Sequence, residues 1–231
     1  MISPIVMSTF SDFKMIIKDQ NSEKKKEFPM SKILLSTLSP YFLNLFEKDK
    51  KLNEIEFEFN LKLFELINEY LNSMKLTYNE EDIIKLFLIA DKLSLETLKI
   101  EIFSTFQSIL SLSNFHIFFE EIYQNSFRNP NVKQFFGILN KFVYVEMNEI
   151  IHLDDFKDVS DDFIKYYCTK SELKVSEFEL CLALFRRDNQ TNLKDFIRFG
   201  GITGGQWETV QAVTQLTSKP NTNSIARYKN F

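Results

Sequence analysis

The chain has 231 residues, of which 44% are hydrophobic and 26% charged, and its formal net charge is −4. That composition excludes an intrinsically disordered chain, and the length suits one large domain or two small ones. Lysines are interleaved with acids, as in Glu23–Lys26 and Glu47–Lys51, so no basic stripe marks a nucleic-acid surface.

Glycine and proline, at 5 each, favour helices and short turns over a loop-rich β-sandwich. The 25 phenylalanines are expected to fill ordinary core positions and not to build an aromatic binding surface, because large apolar side chains are mostly buried. Cys168 and Cys181 stand in helix-like segments with no CxxC pairing, which points to a reducing compartment. No apolar run reaches the roughly 18–20 residues that span a bilayer. Residues 1–10 carry neither a basic stretch nor a long apolar core, so no secretory signal is expected there. The expectation is a cytoplasmic or nuclear protein with no membrane and no nucleic-acid partner.

Phe13, Met15 and Ile17 alternate with Lys14 and Lys18, the period-two pattern of a strand buried on one face. Asp19-Gln20-Asn21-Ser22 is turn chemistry, and a short returning strand ends near Phe28. Ile33, Leu34, Leu35 and Leu38 recur at helical spacing over residues 31–38. Ser39-Pro40 then reads as an N-cap with proline at the first helical position, and Tyr41, Phe42, Leu45 and Phe46 form the buried stripe of that helix. Glu54-Ile55-Glu56-Phe57-Glu58-Phe59 predicts a strand with its three acids on one side. Asn60 caps a helix through Phe64, Ile67, Tyr70 and Leu71.

Asn79 with Asp82 marks the next helix start, and Ser94 the one after, leading Leu98, Ile102, Phe103 and Phe106 into the core. Residues 114–187 read as helix, broken at Asn129-Pro130-Asn131 and at Asp154-Asp155, with a capping box at Ser176 and Glu179. Beyond Phe199 the composition changes. Gly200, Gly201, Gly204 and Gly205 precede Trp207, and Thr, Gln and Asn dominate. The glycines suggest a flexible or hairpin-forming junction. They lack the lysine of a GxxxxGK[ST] phosphate loop.

The order strand, strand, helix pair, strand, helices resembles the BTB/POZ fold, an α+β arrangement of a small sheet flanked by helices. Ser11-Asp12-Phe13, Phe28-Pro29-Met30-Ser31-Lys32-Ile33-Leu34-Leu35, Ser39-Pro40-Tyr41-Phe42 with Leu45-Phe46, and Leu88-Ile89-Ala90-Asp91-Lys92-Leu93 resemble that family's segments, in order. The family's His before the lysine is Ser31 here. The resemblance covers residues 11–110. Residues 113–190 resemble a BACK-like helical domain through Ser171-Glu172-Leu173-Lys174-Val175-Ser176-Glu177-Phe178-Glu179, and residues 200–231 are a tail or a truncated third domain.

The resemblance implies a protein-interaction module, either an adaptor for a cullin-type ubiquitin ligase or a self-associating scaffold with no ligase role. It also implies a weak homodimer or a monomer, since only about ten residues precede Ser11. Asp12 and Lys32 map onto a charged pair in a peptide-binding groove of some members; the plainer reading is a structural ion pair or two separately solvated charges. A cullin contact, weaker than in the adaptors it resembles, maps onto residues 46–54 with Phe46, Leu52 and Glu54, because the hydrophobic-x-Glu triplet Leu52-Asn53-Glu54 abuts the strand that begins at Ile55; the plainer reading is that Leu52 closes the core edge.

No enzyme, cofactor or metal site is expected. His116 and His152 lack ligand spacing. Cys168 and Cys181 read as buried structural thiols. Glu80-Glu81, Asp154-Asp155 and Asp161-Asp162 sit at helix starts, where the helix dipole accounts for them.

Overall fold

The structure, a computed structural model, describes residues 11–168, 175–187 and 202–214. Two compact units divide the chain. The first holds residues 11–109 with Asn125–Phe135; the second holds Leu110–Gln124 and the described residues from Phe136 onward. The α+β expectation holds: a three-stranded sheet with helices, followed by further helices.

In the first unit β1 (Phe13–Asp19) is the middle strand, in the order β2-β1-β3. It pairs antiparallel with β2 (Lys25–Met30) and parallel with β3 (Glu54–Phe59). A parallel neighbour needs a crossover, which α1 (Lys32–Leu38) and α2 (Pro40–Lys48) supply. The register sets Met15 between Phe28 and Ile55. Alternation then puts Phe13, Met15, Ile17, Phe28, Met30 and Phe59 on the buried face.

The three acids of β3 share the other face, as expected from their spacing. Lys18 and Lys25 both reach Glu56, at 2.6 and 2.9 Å, and Lys14 reaches Glu27 at 2.9 Å. Hydrogen bonds from Lys18 and then Lys25 hold the Glu56 carboxyl below its ordinary value. Such exposed pairs contribute little to stability. A charged face on a sheet this small does oppose further strand pairing.

Caps fix the helices. The Ser39 hydroxyl accepts the Phe42 N–H at 3.2 Å and donates to the Leu93 carbonyl at 2.6 Å, fully buried. The cap legible in the sequence therefore also ties α2 to the turn between α4 (Ile83–Lys92) and α5 (Glu96–Ile109). The Asn60 carbonyl oxygen accepts the Leu63 N–H at 3.1 Å and opens α3 (Leu61–Ser73).

Two local expectations change. Ile33 is 78% exposed, and in α1 only Leu35 is buried. Asn79 makes no cap; its amide donates to Asp82 Oδ2 at 3.4 Å, a 3₁₀ turn spans Glu80–Asp82, and α4 begins at Ile83.

Asn125–Phe135 joins the first unit for visible reasons. The Asp91 carboxylate accepts from Asn129 Nδ2 at 2.9 Å, Asn131 Nδ2 at 3.0 Å and Lys99 Nζ at 3.0 Å. The Phe135 ring meets Phe87, Phe103 and Phe106 with centroids 4.8, 5.2 and 5.0 Å away. The Asn129-Pro130-Asn131 break is thus also a tertiary anchor.

The second unit takes most of α6 (Phe115–Ser126), α7 (Gln134–Ile150), α8 (Asp161–Cys168), α9 (Glu177–Arg187) and α10 (Gly204–Thr214). Its aromatic core joins Phe115, Phe119, Phe163 and Tyr167 at centroid distances of 4.6–5.8 Å. The Tyr167 hydroxyl donates to Asn140 Oδ1 at 2.8 Å. The Ser160 hydroxyl donates to the Glu120 carboxylate. Ser176 and Glu179 form the expected capping box.

The glycine-rich stretch behaves otherwise than expected from Gly204 on. Thr203 and Gln206 cap each other reciprocally, and α10 follows, with Ile202, Trp207 and Val210 buried. α10 packs on α9. Gly200 and Gly201 lie outside the described residues.

Candidate functional site

The five residues singled out in the sequence lie in the first unit, around the loop between α2 and β3. Asp12 and Lys32 meet through the backbone and not through their charges. Asp12 Oδ1 accepts the backbone N–H of Lys32 at 2.8 Å, at the first position of α1. A carboxylate there satisfies an orphan helix donor and faces the positive end of the helix dipole.

The Lys32 ammonium turns the other way. It donates to the Lys50 carbonyl at 3.3 Å and to Asn53 Oδ1 at 3.4 Å, and it lies 5.7 Å from the centre of the Phe46 ring. Phe46 is buried, with its ring 4.8 Å from that of Phe13 in an edge-on contact. It supports the loop from beneath and does not project from it.

The loop itself is ordered by its own backbone. The Leu52 N–H donates to the Asp49 carbonyl at 3.2 Å, and the Lys51 N–H to Asp49 Oδ1 at 3.0 Å. The Asn53 carbonyl accepts the Lys14 N–H at 2.9 Å, where β3 joins the sheet. Leu52 is half-buried and Glu54 is exposed as the first residue of β3. A cleft of ≈ 460 Å³ adjoins the loop, bordered by Asp12, Lys14, Glu27, Pro29 and Asn53.

The arrangement presents a half-exposed leucine and an exposed carboxylate on a pre-ordered loop. A loop fixed in this way would lose little freedom on binding a partner. Sequence reasoning missed Asn53 and the reach of Lys32. Nothing local signals either, because both contacts join residues about twenty positions apart.

The groups considered for catalysis sit elsewhere. Burial pushes the Cys168 and Cys181 thiols up to about 12, which leaves almost no thiolate at neutral pH. His152 is exposed with Nδ1 2.6 Å from the Asn148 carbonyl, and His116 lies against the Phe115 ring. Among the described residues no cluster of His, Cys, Asp and Glu could hold a metal ion, and no helix is long and apolar enough to cross a membrane.

The BTB/POZ domain family model matches residues 7–110. Among solved structures, the BTB domain of human gigaxonin is similar at 24% identity, covering 42% of this chain and 79% of that one, with a TM-score of 0.36. The BTB domain of zebrafish PATZ1 is similar at 21% identity, covering 43% of this chain and 77% of that one, with a TM-score of 0.35. No curated protein matches the chain.

Proposed function

We propose, from the match of the BTB/POZ domain family model to residues 7–110, that this chain is a protein-interaction module and, more specifically, an adaptor that recruits a partner to a cullin-type ubiquitin ligase. The observation that carries the reading is the α2–β3 loop. Lys32 holds Lys50 and Asn53, so Leu52 and Glu54 are offered on fixed backbone where the hydrophobic-x-Glu triplet abuts β3. Leu52 is the anchor, Glu54 its charged flank, and Asp12, Lys32 and Phe46 hold the loop in place. The helices of the second unit, in this reading, are a BACK-like extension that spaces or holds the substrate. Of the segment behind that resemblance, residues 171–174 lie outside the described residues.

Affinity purification of the tagged chain with mass spectrometry tests the proposal. Recovery of a cullin, lost with Leu52→Asp, supports it; recovery of other proteins without any cullin speaks against it. A self-associating scaffold is the second reading, favoured by Ile33, which is 78% exposed on α1. A second copy of the chain would cover that side chain. Ultracentrifugation at low micromolar concentration separates the two, since the adaptor reading expects a weak dimer or a monomer.

A further inference from the structure

A second cleft of ≈ 380 Å³ in the same unit lies between the β1–β2 turn, the start of α3 and one side of α4. Its apolar floor is Phe59, Leu63 and Ile89, all buried beneath it, and its rim carries Asn60 and Lys92. None of these residues belongs to the α2–β3 loop.

The rim is built to receive negative charge. Lys14, Lys18, Lys25, Lys26 and Lys99 each pair with an acid. Lys92 forms no ion pair among the described residues; its ammonium sits 4.7 Å from the centre of the Phe59 ring. The Asn60 side chain is oriented by its cap, since its oxygen accepts the Leu63 N–H. That leaves its Nδ2 donor without a partner among the described residues. Asp19, beside the cleft, has both oxygens engaged, with the Leu61 N–H at 3.1 Å and the Ser22 hydroxyl at 2.7 Å. Gln20 Nε2 donates to the Glu58 carbonyl at 3.2 Å and fixes the turn side of the rim.

We propose that this cleft binds an acidic peptide segment of a partner, seating one apolar side chain on Phe59, Leu63 and Ile89 and a neighbouring carboxylate against Lys92 Nζ and Asn60 Nδ2. The choice of occupant follows from charge and size. At ≈ 380 Å³ the cleft is near the lower end of ligand pockets and suits a short segment, and the two donors are complementary to a carboxylate. The inference rests on the interaction-module reading but not on the cullin contact.

The test is an amide NMR titration of the full chain with acetyl-Glu-Leu-Glu-amide and with acetyl-Lys-Leu-Lys-amide. The acidic probe is expected to shift the Asn21, Asn60 and Lys92 resonances saturably, with at least fivefold tighter binding than the basic one. Lys92→Glu and Asn60→Asp should each weaken it at least fivefold. Asn60→Asp keeps the capping oxygen, replaces the donor with a negative charge that a helix N-terminus tolerates, and so should leave the thermal midpoint within about two degrees of the parent. No saturable shift, equal response to both probes, or unaltered binding in both variants overturns the site. Binding of a cullin, read separately with Leu52→Asp, should be unchanged in Lys92→Glu, so failure here and failure of the adaptor reading are told apart.

Discussion

The Asp12 carboxylate accepts the backbone N–H of Lys32 at 2.8 Å across the 20 positions between them, and so frees the Lys32 ammonium to hold the loop that ends at β3. One side chain starts a helix and, through it, orients another that orders the candidate binding loop. Ser31 is the N-cap of α1, and losing the second acceptor with Asp12→Ala should cost about 0.5–1.5 kcal/mol. Asp12→Asn, which keeps an acceptor, should cost less. Urea unfolding of the two variants checks the order; equal losses would mean that Asp12 does not act through its oxygen.

Lys32→Met removes the ammonium and keeps much of the apolar stem. The fold should survive, since the lost hydrogen bonds are exposed ones worth about 1 kcal/mol or less each. Partner affinity should fall several-fold, because the loop is then free to move. Hydrogen exchange at residues 50–53 reads this directly, and unchanged protection there would exclude Lys32 as the loop's anchor.

Asp91 gives a pH-dependent prediction. Burial raises its carboxyl, but hydrogen bonds from Asn129, Asn131 and Lys99 outweigh that and leave it below its ordinary value. For Lys99, burial lowers the ammonium, while Asp91 and Glu96 outweigh it and raise it. The Asp91 contribution is therefore fully present above about pH 4, the unfolded value, and is lost as pH falls through the depressed folded value. The Lys99 contribution is fully present below about pH 10.4 and is lost as pH rises through the raised folded value. With side chains 13% and 19% exposed, Asp91→Ala should cost about 2–3 kcal/mol at pH 7. The difference from the parent should narrow below pH 4. A gap that stays constant from pH 7 to pH 2 would show that the carboxylate's charge is not what binds residues 129 and 131.

Ser39 is buried with two hydrogen bonds, one given and one accepted. Ser39→Ala strips the cap of α2 and leaves the Leu93 carbonyl short of a donor, a loss of about 2 kcal/mol. Ser39→Gly should lose less, because glycine is a better cap than alanine, but it still leaves the Leu93 carbonyl without its donor. Chemical denaturation of both variants measures it.

The strands, Ser39-Pro40 and the Asn60 cap were legible because each is written in neighbouring residues: alternation, a cap, a proline. What joins distant residues was not. The Asn129-Pro130-Asn131 break reads as a turn, yet its two asparagines serve Asp91, about forty positions back. For Asp12 and Lys32 the ion pair and the separate charges stay open, because sequence shows charges and not which way a long side chain turns. The glycines at 204 and 205 suggest a loose junction, but a Thr203–Gln206 capping box outweighs their poor helix propensity. Ile202, Trp207 and Val210 then bury one face. Removing residues 200–231 should accordingly lower the thermal midpoint by more than a few degrees, and Trp207→Ala alone should cost about 3 kcal/mol. A 1–199 chain as stable as the parent would show that this packing adds nothing.

The most direct test of the adaptor reading is a calorimetric titration of the full chain into a purified cullin, for the parent and for Leu52→Asp, with circular dichroism of both. Interface energy concentrates in a few anchors, so a charge at Leu52 should cost about 2 kcal/mol or more, roughly a thirtyfold loss of affinity. The account predicts saturable binding by the parent and that loss in a variant with an unchanged spectrum. No binding by the parent, or parent-like affinity in a folded Leu52→Asp, would contradict it.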